Sequence, residues 1–332
     1  SENMPLYNPV SVSGYHIREA GSTAAQELAF TLNNGFVYIE KCLERGLKID
    51  DFSHRLSFFF NAHMDFFEEI AKYRAARRIW ANRLKNQYGA KNESSLKLKF
   101  HTQTAGCSLT AQQPENNIVR TAFEAMSAVL GGTNSLHTNS LDETLALPSE
   151  KAAKIALRTQ QILAFETGVP NVADPLGGSW YIEELTDKLE NQALKYFEEI
   201  QEMGGTVQAI EDGYFQKKIA ESASIYQESV DSKERIIVGV NDFIEKDEEL
   251  DIDILKISRD AQDTQEKKIK TLRKSRDEKT LQEKMKNLSD ACKKDLNLVP
   301  FLIDVAEQGG TVGEIVEVMK KVYGEWEESF GI

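Results

Sequence analysis

Four short runs of apolar or β-prone residues recur along the first half of the chain, and each precedes a stretch with helical character. They span residues 11–16, 55–60, 98–103 and 133–139, and most of their hydrogen-bonding side chains stand toward the C-terminal end of the run. This layout is typical of a parallel α/β sheet whose strand ends converge on one ligand site. The chain supplies four such units, whereas a closed eight-stranded barrel needs twice that number.

The segments between the runs predict helices, because apolar residues recur in them at helical spacing. The predicted helices span residues 19–45, 63–87 and 115–130. Gly46 stands where a helix C-cap is expected. The third helix is broken by Gly131 and Gly132. Ser140 is a predicted N-cap for a further helix that runs to about residue 167 and bends near Pro148.

The character of the chain changes after Pro170. A turn-rich link at residues 174–179 leads into predicted helices at 186–203 and 215–228. Two β-prone pieces follow, at 236–240 and 252–255, and three more helices begin near residues 259, 278 and 311. We therefore predict a domain of strand–helix units over residues 1–170 and a mainly helical extension over residues 171–332.

The composition limits the class of protein further. A formal net charge of -13 argues against nucleic acid or an anionic membrane surface as a partner. Three scattered cysteines (Cys42, Cys107 and Cys292) predict reduced thiols rather than a disulfide framework or a zinc cluster. No apolar run approaches the length of a membrane span, and no export leader is recognisable, so the sequence predicts a soluble cytoplasmic protein. The acidic run at residues 245–253 and the mixed-charge stretch at 267–286 are expected to be solvated faces or linkers.

Two kinds of chemistry can be weighed from single residues. Four histidines lie at or just after predicted strand ends, which would suit a metal-dependent hydrolase, but their spacing lacks the usual ligand pairs and no metal site is predicted. Arg55 adjoins a strand, where a guanidinium can clamp a phosphate group. A structural ion pair is an equally good explanation of Arg55, and spacing alone leaves the two open.

Eight blocks of sequence stand in a recognisable order: SVSGYH at 11–16, EAG at 19–21, RLSFF at 55–59, HTQTAG at 101–106, NNIVR at 116–120, GGTNSLHTNSLDE at 131–143, DPLGGS at 174–179 and TVGEI at 311–315. Taken together and in order, these blocks resemble the large subunit of methylmalonyl-CoA mutase and its acyl-CoA mutase relatives. The resemblance covers nearly the whole chain. It implies an α/β fold that is the C-terminal half of a (β/α)8 TIM barrel, with about four parallel strands, followed by the helical extension.

The same resemblance implies an isomerase that rearranges the carbon skeleton of an acyl-CoA substrate by radical chemistry, with adenosylcobalamin as cofactor. By motif, His16 would hydrogen-bond the thioester carbonyl, and Tyr15 would wall the radical cavity. Substrate or CoA contacts fall on Arg55, Ser57 and Gln103. Cobalamin contacts fall on Glu19, Gly106, Asn139, Glu143, Ala146 and Leu147. Cys107 replaces the tryptophan common in methylmalonyl-CoA mutases, which leaves the acyl group undetermined.

Two parts of the family pattern have no counterpart in this sequence: the front half of the barrel and the cobalamin-binding module with its Asp-x-His-x-x-Gly motif. The first hypothesis is a catalytic subunit that needs a front-half mutase chain and a cobalamin-binding small subunit, so that the isolated chain is inactive. The second is a non-catalytic fragment or assembly module that pairs as a homodimer, because four parallel strands leave two open edges and an unfilled barrel interior.

Overall fold

The four predicted strands are present and form one parallel sheet in the order β1-β2-β3-β4. The structure is a computed structural model that describes residues 7–245, 252, 254–256 and 258–327. The strands are β1 (Ser11–Ser13), β2 (Ser57–Ala62), β3 (Phe100–Thr104) and β4 (Ser135–His137). The register pairs Phe59 with Ser13 on one side and with His101 on the other, and His101 with Ser135.

Helices α1 to α7 connect and follow the strands. They are α1 (Tyr15–Glu19), α2 (Ala24–Glu44), α3 (Ile49–Phe52), α4 (Phe66–Asn86), α5 (Glu93–Leu96), α6 (Asn116–Leu130) and α7 (Glu150–Phe165). Short 3-10 turns lie at Ser53–Arg55 and Val169–Asn171. Successive strands lie side by side with helices between them, which is the arrangement of one half of a (β/α)8 barrel. The predicted α/β fold, with its mainly helical extension, is confirmed.

The two faces of the sheet differ sharply in burial. Phe58 and Phe60 of β2 and Phe100 of β3 are buried in the main core, where they pack with residues of α2 and α4. The opposite face carries Phe59, His101 and other residues that are exposed or only half-buried, together with Asn61, which is fully buried. We call this the open face of the sheet: Ser11, Ser13, Ser57, Phe59, Asn61, His101, Gln103, Ser135 and His137. In a closed barrel this face would point inward.

Three further helices pack on the same unit as the sheet. These are α8 (Trp180–Glu202), α9 (Thr206–Glu211) and α10 (Tyr214–Asp231). Helix α8 lies against α2 and α4. Helix α10 is tied to the start of α2, since Ser222 Oγ donates to Gln26 Oε1 at 2.8 Å. Gln26 also closes a capping box with Thr23, which explains why α2 begins at Ala24.

The contacts divide the described residues into two compact units, one that ends at residue 255 and one that begins at residue 256. The second unit contains α11 (Arg259–Ser275), α12 (Glu278–Lys293), α13 (Val299–Glu307) and α14 (Val312–Tyr323). Its small core is Leu281, Met285, Leu288, Cys292 and Val305. The predicted domain division near residue 170 follows composition and stays a prediction. The contacts group α8–α10 with the sheet because α8 packs on α2 and α4.

Several sequence predictions of local structure were wrong. The helix expected from Ser140 begins only at Glu150, because Asp142 accepts both the Ser140 hydroxyl (2.6 Å) and the Ser149 amide (2.8 Å) and folds residues 141–147 into turns. The β-prone piece at 236–240 forms only an isolated bridge between Val238 and Asp242. In the piece at 252–255, residues 252, 254 and 255 are described and form no strand. The acidic run at 245–253 lies largely outside the described residues. Within the described residues, no helix is both long and apolar enough to span a membrane.

Candidate active site

The C-terminal ends of β1 and β3 bring several of the predicted site residues into direct contact. Helix α1 begins with Tyr15 immediately after β1, whereas the sequence suggested that the strand continued through His16. Gln103 Nε2 of β3 donates to Tyr15 Oη at 2.9 Å and to Asn139 Oδ1 at 2.8 Å. Asn139 is held in turn by Thr104, whose carbonyl accepts from Asn139 Nδ2 at 2.8 Å. One amide side chain therefore orients both a phenol and a second amide.

Glu19, at the last position of α1, fastens that helix to the loop after β3. Its carboxylate accepts hydrogen bonds from the backbone N–H groups of Gly106 and Cys107, both at 2.9 Å. Asn61 Nδ2 of β2 donates to the same carboxylate at 2.7 Å. Asn61 was not among the predicted site residues, and no local motif in the sequence marks it. We call Tyr15, Glu19, Asn61, Gln103, Gly106 and Asn139 the strand-end cluster.

Gly106 leaves a small space inside the strand-end cluster. A methyl group at its Cα would lie 3.2 Å from Glu19 Oε2, 3.4 Å from Asn139 Nδ2 and 3.6 Å from Tyr15 Oη. Three polar atoms from two segments, α1 and the loop after β4, therefore surround a position with no side chain. Such a cradle allows a ligand to approach the backbone closely.

The electrostatics of the strand-end cluster keep the Tyr15 hydroxyl and the neighbouring Cys107 thiol protonated. Burial, followed by the negative charge of Glu19, raises the pKa of Tyr15 above its ordinary value. The same two causes raise the pKa of the Cys107 thiol to about 12. A thiol that stays protonated is a poor nucleophile, so Cys107 is not suited to covalent catalysis. Burial also raises the pKa of Glu143, with a further contribution from Glu19, which places Glu143 within electrostatic range of the cluster.

His16 lies beside the cluster on α1. Its Nδ1 is 3.2 Å from Ser13 Oγ, and burial lowers the pKa of the imidazole, which favours the neutral ring. On the next strands, His101 Nδ1 is 2.7 Å from Ser135 Oγ, and its ring contacts Phe59 edge-on. His101 and His137 share the open face, yet among the described residues no group of three or more His, Cys, Asp or Glu could hold a metal ion.

Arg55 and Ser57 stand at the opposite, N-terminal end of the sheet. Ser57 pairs with Ser11 at the start of β1 and donates to Val10 O at 3.2 Å. Arg55 closes the turn that precedes β2, and its Nε is buried with no hydrogen-bond partner in the described part of the chain. These two residues therefore do not touch the strand-end cluster. Ala146 and Leu147 lie in the turns before α7, where Leu147 is exposed.

Comparison with known proteins adds to this geometry. The sequence model described as methylmalonyl-CoA mutase matches residues 1–325. The large subunit of 2-hydroxyisobutanoyl-CoA mutase from Aquincola tertiaricarbonis is 44% identical over 330 residues, which is 99% of this chain and 59% of that protein. Methylmalonyl-CoA mutase from Rhizobium meliloti (strain 1021) is 47% identical over 98% of this chain and 46% of its own length. The mitochondrial methylmalonyl-CoA mutase of Homo sapiens is 45% identical over 98% of this chain and 44% of its own length.

These relatives are acyl-CoA mutases, a class of isomerase. The chain belongs to the methylmalonyl-CoA mutase family, which confirms the resemblance found in the sequence. The chain spans about half the length of the curated relatives that it matches.

Proposed function

We propose that this chain forms one half of the catalytic barrel of an acyl-CoA mutase, which isomerises the carbon skeleton of a CoA thioester with adenosylcobalamin. The front half of the barrel and a cobalamin-binding subunit would complete the enzyme. The observation that carries the proposal is the strand-end cluster, in which Gln103 joins Tyr15 to Asn139 at one end of an open sheet face. The opposite end of the same face begins at Ser57, next to Arg55.

The open face is long enough to hold the extended chain that links the phosphates of CoA to its thioester, and we call the path along β2 from Ser57 to Asn61 the track. Ser57 and Asn61 are both on this face of β2, four residues apart, which corresponds to about 13 Å along a strand. Asn61 pairs with Gln103 in the register, so the far end of the track lies in the cluster. A CoA thioester bound along it would place its phosphates near Arg55 and its acyl group near Tyr15.

Arg55 suits the phosphate end of that track. The described residues contain no salt bridge to Arg55, and its buried Nε lacks a partner. A structural ion pair, the competing explanation left open by the sequence, therefore has no support in the described contacts. An anionic ligand would satisfy the guanidinium.

Tyr15 and His16 suit the reacting end. A neutral imidazole can donate a hydrogen bond to a thioester carbonyl and stabilise negative charge that develops on it. The Tyr15 phenol stays protonated and is fixed by Gln103, so it forms a rigid wall that excludes water from the reacting group. These side chains orient the substrate and do not themselves form covalent bonds to it.

The residues around Gly106 fit the cofactor. The cradle between Glu19, Asn139 and Tyr15 is lined by hydrogen-bonding atoms, and the missing side chain at Gly106 exposes the backbone between them to a ligand. Glu143, with Ala146 and Leu147 further along the same segment, would extend this surface. When bound, adenosylcobalamin supplies the organic radical that abstracts hydrogen from the substrate.

The proposal is tested by reconstitution. The full chain is mixed with a polypeptide supplying the front half of the barrel and with a cobalamin-binding subunit, and conversion of acyl-CoA isomers is followed by chromatography. We expect adenosylcobalamin-dependent isomerisation. The kcat should fall at least about tenfold in Tyr15→Phe. It should be unchanged in Tyr38→Phe, whose side chain is on an exposed part of α2. No complex and no isomerisation in that mixture would contradict the proposal.

A non-catalytic assembly module is the second candidate. The observation in its favour is that, among the described residues, the sheet has β1 and β4 as its edges and one face that no other element covers. Two copies could cover each other there. Sedimentation of the isolated chain as a dimer that does not dissociate when the front-half polypeptide is added would favour this candidate.

A further inference from the structure

Strand β2 extends further than its neighbour β1, and this leaves the main-chain N–H and C=O groups of Asn61 without a strand partner on the β1 side. Residues 57 and 59 of β2 hydrogen-bond toward β1, through Ser57 N to Val10 O at 3.4 Å and Gly14 N to Phe59 O at 2.8 Å. Asn61 points its N–H and C=O groups to the same side, since these groups alternate along a strand. At that level, however, β1 has ended at Ser13 and the chain has turned into α1.

Buried ionisable side chains replace the missing strand at Asn61. Its N–H donates to Glu27 Oε1 at 2.7 Å, and its carbonyl accepts from Lys72 Nζ at 2.8 Å and from Tyr73 Oη at 2.5 Å. Lys72 also pairs with Glu27 at 2.6 Å and with Glu69, and the side chains of all three are fully buried. Burial raises the pKa of Glu27, against the opposing effect of Lys72.

Stability alone does not account for such a cluster. Removing several charges from water is costly, and apolar residues of similar volume often serve a core as well or better. Buried polar groups can instead be retained because they fix one conformation. The conformation that this cluster fixes is that of Asn61.

The side chain of Asn61 carries this fixed geometry into the candidate active site. Its Nδ2 holds the Glu19 carboxylate, and that carboxylate holds the Gly106 and Cys107 amides. Glu19 ends α1, a helix of five residues, which is too short to keep its position by its own hydrogen bonds. Arg18, its neighbour, is also drawn to the buried charges, with Nη2 3.8 Å from Glu69 Oε1.

We propose that Asn61, Glu27 and Lys72 are positioning residues that fix Glu19, and with it the short helix that carries Tyr15 and His16, against the loop after β3. The catalytic meaning of this link rests on the proposed function, but the link itself is a property of the isolated chain. The link can therefore be tested on the isolated chain, independently of mutase activity.

The first test is amide hydrogen exchange of the segment 104–109, measured by mass spectrometry on the full chain. Asn61→Leu removes the Nδ2 donor and keeps the main-chain bonds, and Asn61→Ala is a second variant in case the first does not fold. We expect exchange at Gly106 and Cys107 to become about tenfold faster, as it should in Glu19→Ala. The matched control is Asn33→Leu, which removes a buried 2.6 Å hydrogen bond to Thr206 elsewhere in the unit. Unchanged exchange in a folded Asn61 variant would overturn the proposal.

The second test separates positioning from general loosening. Alkylation of each cysteine by iodoacetamide at pH 8.5 is quantified by peptide mapping. The groups that act on the Cys107 thiol are Glu19, Arg18 and Glu124. Release of the Glu19 carboxylate lowers the pKa of this thiol, so we expect Cys107 to react at least threefold faster relative to Cys42 and Cys292 in Asn61→Leu. Equal acceleration of all three cysteines, or of none, would count against a positioning role.

Discussion

At the scale of single residues, the absence of a side chain at Gly106 has a consequence that can be measured. The backbone of Gly106 is not in the left-handed region, so alanine can adopt it, and the nearest atoms are 3.2 Å or more from the added methyl group. Gly106→Ala should therefore change the free energy of unfolding by less than about 1 kcal/mol. The methyl group would nevertheless fill the cradle, and we expect at least tenfold weaker binding of adenosylcobalamin by the reconstituted complex.

The control for Gly106→Ala is Gly313→Ala, where an added methyl group meets no atom within 4 Å. Affinity for the cofactor should be unchanged in this variant. Chemical denaturation and equilibrium titration of both variants separate stability from binding. Wild-type affinity in Gly106→Ala would show that the cradle is not a ligand site.

His63 gives a prediction about the dependence of stability on pH. Burial lowers the pKa of its imidazole from 6.5 to about 3, assisted by the positive charges of Arg18, Lys72 and Arg235. Between these two values the unfolded chain binds a proton that the folded chain does not, so the free energy of unfolding falls as the pH falls through this window. In His63→Gln the free energy of unfolding should fall less steeply with pH, because the difference in bound protons between the unfolded and folded chains is smaller by up to one.

Urea denaturation of both proteins at pH 7, 6, 5 and 4 measures this difference. Carboxyl groups that titrate in the same window, Glu27 among them, contribute equally to the two proteins and cancel in the comparison. Parallel curves for the wild type and His63→Gln would mean that the pKa of His63 is the same in the folded and the unfolded chain.

At the scale of elements, the junction between β1 and α1 depends on a close approach by α2. A Cβ atom on Gly14 would lie 1.9 Å from Thr31 Oγ1 and 3.1 Å from Glu27 Cγ. Gly14→Ala should therefore cost about 1–3 kcal/mol in the free energy of unfolding, as overpacked cores generally do. Thr31 Oγ1 has no hydrogen-bond partner among the described residues, so removing this hydroxyl should lower the free energy of unfolding only slightly.

A double-mutant cycle tests that explanation. Thr31→Ala should recover much of the stability lost in Gly14→Ala, with a coupling energy of about 1 kcal/mol or more between the two sites. Thermal unfolding of the four proteins provides the energies. Additive losses would mean that Gly14 is required for its backbone conformation and not for the approach of α2.

The same elements show how far the sequence predicts this fold. The four β-strands follow from local apolar runs, and Gly46 does adopt the positive φ expected after α2. The order of the strands in the sheet follows from the resemblance to a barrel and not from the runs themselves. The start of α1 at Tyr15 has no local signal, because it depends on contact with α2. Residues 141–147 form turns because of the side chain of Asp142, which a helical pattern conceals.

The site divides in the same way. Tyr15, Gln103 and Asn139 lie at strand ends, so their convergence follows from parallel topology once the strands are known. Asn61, Glu27 and Lys72 have no shared periodicity or motif, and their meeting depends on where β1 ends relative to β2. Long-range geometry of this kind cannot be read from one sequence, and it is the part of the site that the sequence missed.

At the scale of the whole molecule, the two compact units have separate cores, which predicts separate unfolding transitions. In the second unit, Leu281, Leu288 and Val305 are fully buried within a small cluster of α12, α13 and α14. Leu288→Ala should cost that unit about 2–5 kcal/mol, because it removes a buried side chain and leaves a cavity. A core of this size has little stability in reserve, so the loss should unfold the unit at moderate temperature.

The first unit should be insensitive to this change, because Phe30, Phe58 and Trp80 belong to a different core. Hydrogen exchange measured by peptide resolves the two: residues 278–323 should lose protection in Leu288→Ala, while α2, α4 and the sheet keep theirs. The reciprocal variant Phe30→Leu should loosen the first unit and spare the second. If Leu288→Ala instead weakened protection equally throughout the chain, the two cores would form one cooperative unit, and the division by contacts would have no thermodynamic counterpart.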